Sequence, residues 1–241
     1  MPKDRFRRLW KTENLRLLLE SFDPKYTKIL ETSSPKSDKE VFTLLAKKTK
    51  KSLHPYNSKK ILNFEEFLTE NMKILDFGGA DGQIANALQE FKTEVTVADT
   101  IIPKNKVPGL KYVELKHGPL PFKDNEFDAT CCFMVLHHIE QRQQILKELA
   151  RVTKKFLFIQ EHNAEAEEEK DLIDIQHGMF MYVTQEDDYD KTKNFDEWKA
   201  FYFRAETLLK ELNQLGFKRI TYRPSKKGYL TKNYFATYVK D

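Results

Sequence analysis

The stretch ILDFGGADGQIANAL (Ile74–Leu88) passes from an apolar run of strand length into a helical pattern through a turn that holds three glycines and an alanine. A strand, a glycine-rich loop and a helix in that order open a βα unit. The surrounding chain repeats the theme. From Met72 onward, KILDF, EVTVADT, KYVEL, FDATCCFMV and KFLFIQ read as strands, with GQIANALQEF and EQRQQILKELARV reading as helices among them. Such alternation means a parallel sheet with crossover helices. The helical pattern RAETLLKELNQLGF and the runs RITYRP and YFATYV come last, and the short SKKG turn makes those two runs antiparallel partners. The expectation is an α/β fold with a doubly wound seven-stranded sheet and an antiparallel C-terminal hairpin.

Before this sheet lies a different kind of sequence. Leucines and aromatics recur at three- and four-residue spacing over Arg5–Phe22 and Asp38–Lys50, and Asn63–Glu70 suggests a further helix. Residues 1–71 thus read as a helical N-terminal extension and residues 72–241 as the sheet domain. Charge divides at the same place. Residues 1–71 carry 16 Lys+Arg against 10 Asp+Glu, although the whole chain of 241 residues has a net charge of only +4. The run KKTKKSLHPYNSKK (Lys47–Lys60) has the chemistry to meet phosphates, and equally that of a solvated surface. An acidic insert over about 160–200 holds 13 acidic residues against 4 lysines, so the two segments have the charge to neutralise each other. No run approaches the roughly 18 apolar residues of a membrane span, and the charged N-terminus lacks a secretory signal's apolar core. A cytoplasmic protein with no membrane partner is expected. Cys131 and Cys132, adjacent in a strand, point to opposite faces and read as reduced core thiols.

A loop after the first strand of a doubly wound sheet lies where such sheets bind ligands. The phosphate loop G-x-x-x-x-G-K-[ST] is excluded, because Gln83 and Ile84 follow Gly82. The dinucleotide fingerprint G-x-G-x-x-G is excluded by spacing as well. What remains is an acid closing the strand, Asp76, followed by small residues at alternate positions, Gly78, Ala80 and Gly82. DFGGADG is similar to the D-x-G-x-G-x-G loop of class I S-adenosylmethionine-dependent methyltransferases, with Ala80 in place of the middle glycine. The pattern LPFKDNEFDATCCFMVLHHIE, where L-P-F and F-D precede the fourth strand and Leu136-His137-His138 follow it, resembles the methyltransferase type 11 group of that family.

The resemblance implies a Rossmann-like domain with S-adenosyl-L-methionine as cofactor and a methyl transfer to an oxygen or nitrogen of an acceptor. Asp76 would reach the cofactor's amino group, and Phe77, Gly78, Gly79, Ala80 and Gly82 would line its methionine and ribose parts. Smallness in this loop would let the backbone approach the ligand without Cβ atoms in the way. Asp99, 17 residues past Gly82, would accept both ribose hydroxyls, with Thr100 beside it. The family's acid before L-P-F is missing from Leu115-Lys116-His117-Gly118-Pro119, so backbone groups of Gly118 or Leu120 would hold the adenine. Phe133 would stand at the rim of the cleft.

Methyl transfer from a sulfonium is an in-line displacement, for which a protein supplies alignment, exclusion of water and a base for the acceptor's proton. Candidate bases are His137 after the fourth strand, His162 after the fifth, and His177 in the acidic insert. Asp174 and His177 sit three apart on one helical face, as a carboxylate orienting a histidine does. The spacing of His162, Asp174 and His177 matches no metal signature, and no metal is expected. The acceptor is a small molecule or an RNA gripped by the lysine-rich region. A fold that binds partners without catalysis is the alternative from another class.

Overall fold

The computed structural model describes residues 4–32, 34, 37, 38, 40, 41, 60–184, 200–224 and 232–241, with backbone alone at 180–184. Lys47, Lys48, Lys50 and Lys51 and the SKKG turn lie outside these residues. The described α-helices are α1 (Arg5–Leu9), α2 (Glu13–Phe22), α3 (Lys28–Thr32), α4 (Gln83–Leu88), α5 (Arg142–Val152), α6 (Glu167–Thr184) and α7 (Ala205–Asn213). The strands are β1 (Lys73–Phe77), β2 (Glu94–Asp99), β3 (Lys111–Glu114), β4 (Phe127–Phe133), β5 (Thr153–His162), β6 (Phe217–Pro224) and β7 (Asn233–Lys240).

Two compact units result. One comprises Pro55–Asn163, Phe201–Lys226 and Asn233–Asp241 and contains the whole sheet. Its strand order is β3-β2-β1-β4-β5-β7-β6, with β1 to β5 parallel and β7 antiparallel to both of its neighbours. This is the expected seven-stranded doubly wound sheet with its antiparallel C-terminal hairpin. Central β1 is buried from Ile74 to Phe77, which is why it reads as a continuous apolar run interrupted only by Asp76. Edge strand β6 alternates instead, with Lys218, Ile220 and Tyr222 exposed and Arg219 and Thr221 half-buried. One face of the sheet packs Leu75, Phe77, Cys132, Leu157 and Ile159 against α5 and α7 residues such as Leu149 and Leu208. The other face packs Ile74, Val97, Cys131 and Phe158 against α4, together with Ile61 and Phe64 from the segment before β1. Cys131 and Cys132 are buried and unbridged on opposite faces, and burial pushes both thiols well above their ordinary pKa.

The other unit comprises Met1–His54, Ala164–Ala200 and Lys227–Lys232. Phe6, Leu15, Leu19 and Tyr26 bury the apolar sides of α1 and α2 against Leu172, Ile175 and Met179 of α6. The Thr12 hydroxyl starts α2 by accepting the Leu15 amide. Basic α1 meets acidic α6 directly: Arg8 donates twice to the Asp171 carboxylate, at 2.7 and 2.6 Å. Arg5, itself buried, donates to Asp174 at 2.6 Å and to Asp38 at 2.9 Å. The carboxylate that sequence spacing offered as an orienter of His177 is thereby committed to a buried ion pair with Arg5. A charge taken out of water needs a partner of opposite sign, and this one ties α6 to the N-terminal helix. Among the described residues no helix is long and apolar enough to cross a membrane.

Candidate functional site

The chain passes from β1 to β2 and β3 on one side, then crosses to β4 on the other, so the strand order reverses between β1 and β4. Open α/β sheets bind ligands in the crevice at the carboxyl ends of two such strands. The loop 78–82 leaves β1 there. The Gly78 amide continues the ladder by donating to the Ala98 carbonyl at 2.7 Å, and the Gly82 amide closes a turn onto the Gly79 carbonyl at 2.9 Å. Gly78 and Gly82 lie in the left-handed region, at φ +71° and +84°. A Cβ at Gly78 would collide with the side chain of Val135, and one at Gly82 with the Tyr112 hydroxyl. At Gly79 it would stand 2.5 Å from Asp76 Oδ2 and 2.8 Å from Val97 Cγ1. These glycines are therefore demanded by the protein's own packing, where the sequence suggested clearance for a ligand. Tyr112 braces the loop by donating its hydroxyl to the Asp81 carbonyl at 2.8 Å.

Ala80 is exposed and adopts φ +45°, a conformation that costs an L-residue about 1–2 kcal/mol. Ala80→Gly removes that cost and adds glycine's extra chain entropy of about 0.5–1 kcal/mol. The net expectation is a gain of up to about 1 kcal/mol, or ~0–4 °C in melting temperature for a chain of this size. Thermal unfolding measures it, and a clear fall in melting temperature would contradict the loop geometry.

Two acids face this loop. Asp76 is buried, and its Oδ2 has no hydrogen-bond partner among the described residues. Burial raises its pKa to about 7, against the opposing pull of Lys60 and the Ala85 amide. Asp99 is half-buried at the end of β2, where Oδ2 accepts the Ala80 amide at 3.0 Å and Oδ1 accepts the Thr100 amide at 2.7 Å. Asp99 thus joins the strand end to the tip of the glycine loop. Phe77 and Phe133 are packed in the two core layers, Phe133 with its ring 5.6 Å from those of Phe64 and Phe235. At the strand ends they contribute backbone rather than rings. Leu120 is buried; its amide donates to Glu148 at 2.7 Å and its carbonyl accepts from Arg151 at 3.0 Å. The Leu120 N–H is therefore spent on Glu148 and is no adenine donor, because Arg151 and Glu148 gather this turn onto α5. Gly118 is exposed at φ +118° with open space where a Cβ would stand.

A third acid, which the sequence analysis did not single out as a site residue, organises the end of β4. Met134 at φ +62° turns the chain out of the strand into the short helical turn Leu136–His138. Glu161, fully buried near the end of β5, accepts the Val135 and Leu136 amides on Oε1, at 2.8 and 2.7 Å. Its Oε2 lies 2.6 Å from Nδ1 of His137, which is also buried. Burial opposes a charge on Glu161, yet His137 and the Leu136 amide outweigh it and the pKa falls below the ordinary carboxylate value. His162 lies beside Asn233, Nδ1 to Oδ1 at 2.6 Å, and burial with the neighbouring His137 pushes its pKa down to about 3. The His138 and His162 rings stand 4.0 and 4.9 Å from that of His137, and the Tyr202 ring lies nearly parallel to it at 5.8 Å. His137 and His162 are thus brought together at the carboxyl ends of β4 and β5. His177 and Asp174 lie on α6, in the other compact unit. Position was the available signal for Glu161: like Asp76 and Asp99, it is an acid at the carboxyl end of an apolar strand.

The sheet order and the switch-point loop are those of the class I methyltransferase fold. Residues 75–156 match a family model described as a methyltransferase domain. The fold is shared with a SAM-dependent methyltransferase from Methanosarcina mazei at 20% identity and TM-score 0.56, over 79% of this chain and 99% of that one. A putative methyltransferase from Bacillus halodurans C-125 is 17% identical, with TM-score 0.54 over 77% of this chain and 99% of that one. The third is the Burkholderia thailandensis 1,6-didemethyltoxoflavin-N1-methyltransferase, bound to 1,6-didemethyltoxoflavin and S-adenosylhomocysteine. It is 14% identical, with TM-score 0.55 over 95% of this chain and 89% of that one. A search of curated proteins finds no match.

Proposed function

We propose that the protein is an S-adenosylmethionine-dependent methyltransferase acting on an oxygen or nitrogen of a small-molecule acceptor. The observation that carries this reading is the pair of acids at the switch point: Asp76, buried with a partnerless oxygen, and Asp99, half-buried beside the loop tip. Their chemistry fits the cofactor at two of its ends. A buried carboxyl seeks a cation, which the amino group supplies, and a second carboxylate accepts from the two ribose hydroxyls. When bound, the cofactor supplies an electrophilic methyl group on a sulfonium. The chain's part is to hold and orient through Asp76, Asp99 and the glycine loop, and to take a proton from the acceptor. For that proton the candidate is His137, whose Nδ1 lies 2.6 Å from the Glu161 carboxylate, while burial and the neighbouring His137 hold the pKa of His162 at about 3, low for a base. The neighbour named an N1-methyltransferase, bound to 1,6-didemethyltoxoflavin, supports a small-molecule acceptor. The alternative is an RNA acceptor gripped by the lysine-rich run, of which Lys47, Lys48, Lys50, Lys51 and Lys59 lie outside the described residues.

Calorimetric titration with S-adenosylmethionine tests the proposal, and absence of binding at millimolar cofactor would overturn it. The same experiment reads the state of Asp76. An acid held at a pKa of about 7 is mostly protonated at a pH of about 6, and a cation brought beside it drives the proton off. Binding at a pH of about 6 should release close to one proton, falling to none above about pH 8, when the acid is already ionised. Buffers of different ionisation enthalpy reveal the proton. Identical apparent enthalpies in all of them at the lower pH would show that Asp76 is not the partner of the amino group.

A further inference from the structure

Parallel strands are usually joined by a helix, yet the chain runs from β2 to β3 through residues 100–110 without one. This strap is held instead by the glycine loop. The Val107 amide donates to the Asp81 carbonyl at 2.8 Å, and the Tyr112 hydroxyl donates to the same oxygen at 2.8 Å, with the Val107 carbonyl 3.2 Å away. A carbonyl oxygen has two lone pairs, and both are taken here. Lys106 of the strap lies over the Tyr112 ring, its Nζ 4.6 Å from the centroid, where the ring face attracts a cation. Burial and the Asp81 charge push the phenol's pKa up, so the hydroxyl keeps the hydrogen it donates.

The carbonyl held in this way belongs to the peptide between Asp81 and Gly82. Left-handed residues stand at 80 and 82, and glycine at 82 has the freedom to let this peptide turn over. The peptide's other end is also held, because the Gly82 amide donates to the Gly79 carbonyl at 2.9 Å. Tyr112 reaches it only because Gly82 lacks a side chain, whose Cβ would collide with the hydroxyl. One residue back, the Ala80 amide lies on Asp99 Oδ2 at 3.0 Å. Strap, loop tip and the acid at the end of β2 are thus tied together.

We infer that Tyr112 is a positioning residue for the cofactor: through the Asp81 carbonyl it fastens the 100–110 strap to the glycine loop, and so sets the loop and Asp99 in the arrangement that receives S-adenosylmethionine. The inference rests on the methyltransferase reading and deepens it, by assigning part of the cofactor affinity to a residue outside the loop. A loop that is set only part of the time binds with an affinity reduced by that fraction. Linkage makes the effect reciprocal: what the Tyr112 tie adds to cofactor binding, the bound cofactor adds to the tie.

Tyr112→Phe removes the hydroxyl and keeps the ring beneath Lys106. Titration calorimetry of the full chain is expected to show S-adenosylmethionine binding about 2- to 12-fold weaker than in the wild type, the range for loss of one hydrogen bond. Amide hydrogen exchange, read at Val107 and Gly82, is expected to quicken in this variant without cofactor and to return toward the wild-type rate when cofactor saturates it. In the wild type the Val107 amide is expected to gain protection when cofactor binds. A Tyr112 that served the fold alone would lower the melting temperature, leave Kd unchanged and leave exchange at Val107 indifferent to cofactor. An unchanged Kd in a folded Tyr112→Phe protein, or exchange at Val107 that bound cofactor does not slow, would each overturn the inference. Should Tyr112→Phe fail to fold, exchange at Val107 in the wild type still decides it. The two proposals separate in the same titrations: a wild type that binds no S-adenosylmethionine at millimolar concentration removes the methyltransferase reading, whereas equal binding by the wild type and Tyr112→Phe removes this inference alone.

Discussion

Gly78→Val is expected to destabilise the sheet-bearing unit by about 2–5 kcal/mol. Two costs combine. A Cβ at this position collides with Val135, and forcing extra carbon into a packed site costs about 1–3 kcal/mol. The backbone at φ +71° adds about 1–2 kcal/mol for any L-residue, with a β-branched one at the upper end. For a chain of this length the melting temperature should fall by about 4–20 °C. Circular dichroism during heating measures it. The two costs separate through Gly78→Ala combined with Val135→Ala: trimming Val135 relieves the collision and leaves the backbone cost, so the double variant should recover part of the loss of Gly78→Ala. A Gly78→Val protein that melts with the wild type would mean that the loop does not approach Val135 as described.

Asp99→Ala is expected to weaken S-adenosylmethionine binding by about 1.5–3 kcal/mol, which is about 10- to 150-fold in Kd. The removed group is the charged acceptor for the ribose hydroxyls. It also takes the Ala80 and Thr100 amides, so the loop tip loses its tie to β2 and the protein without ligand should lose up to about 1 kcal/mol of stability. From sequence alone the fold would be untouched by this change; the Ala80 contact is what alters that expectation. Asp99→Asn keeps one acceptor oxygen and should fall between the two. Titration calorimetry of the three proteins gives the order, and an unchanged Kd for the alanine variant would place the ribose elsewhere.

The sheet was legible because its signals are local. Ile74, Leu75 and Phe77 form an apolar run of strand length, the glycines break it, and Ile84 and Leu88 restart a helical period; none of this depends on distant residues. The closing acids of β1 and β2 were legible for the same reason, since a charge inside a run that is otherwise apolar announces the strand end. Glu161 carries the same sign, but it adjoins His162 and an acidic insert, and its ties to Val135, Leu136 and His137 span 24 to 26 residues. Leu120 had a position suited to adenine, but it is its link to Glu148, 28 residues on, that spends its amide.

By itself the sequence determined the strand-and-helix alternation, the doubly wound order that follows from it, and the loop whose small residues and flanking acids define the switch point, because periodicity and backbone conformation are properties of neighbouring residues. Only the tertiary structure decided what each charge and each glycine is for. Arg5 and Asp174 are 169 positions apart, and only folding brings them to 2.6 Å. The glycines of the loop are needed because Val135, Asp76 and Tyr112 occupy the space a side chain would take. His137 is held at the end of β4 because Glu161 arrives from the next strand, its Oε2 2.6 Å from the ring nitrogen Nδ1. Such roles depend on which atoms meet across long stretches of chain, and sequence spacing records only those that meet within a turn or two.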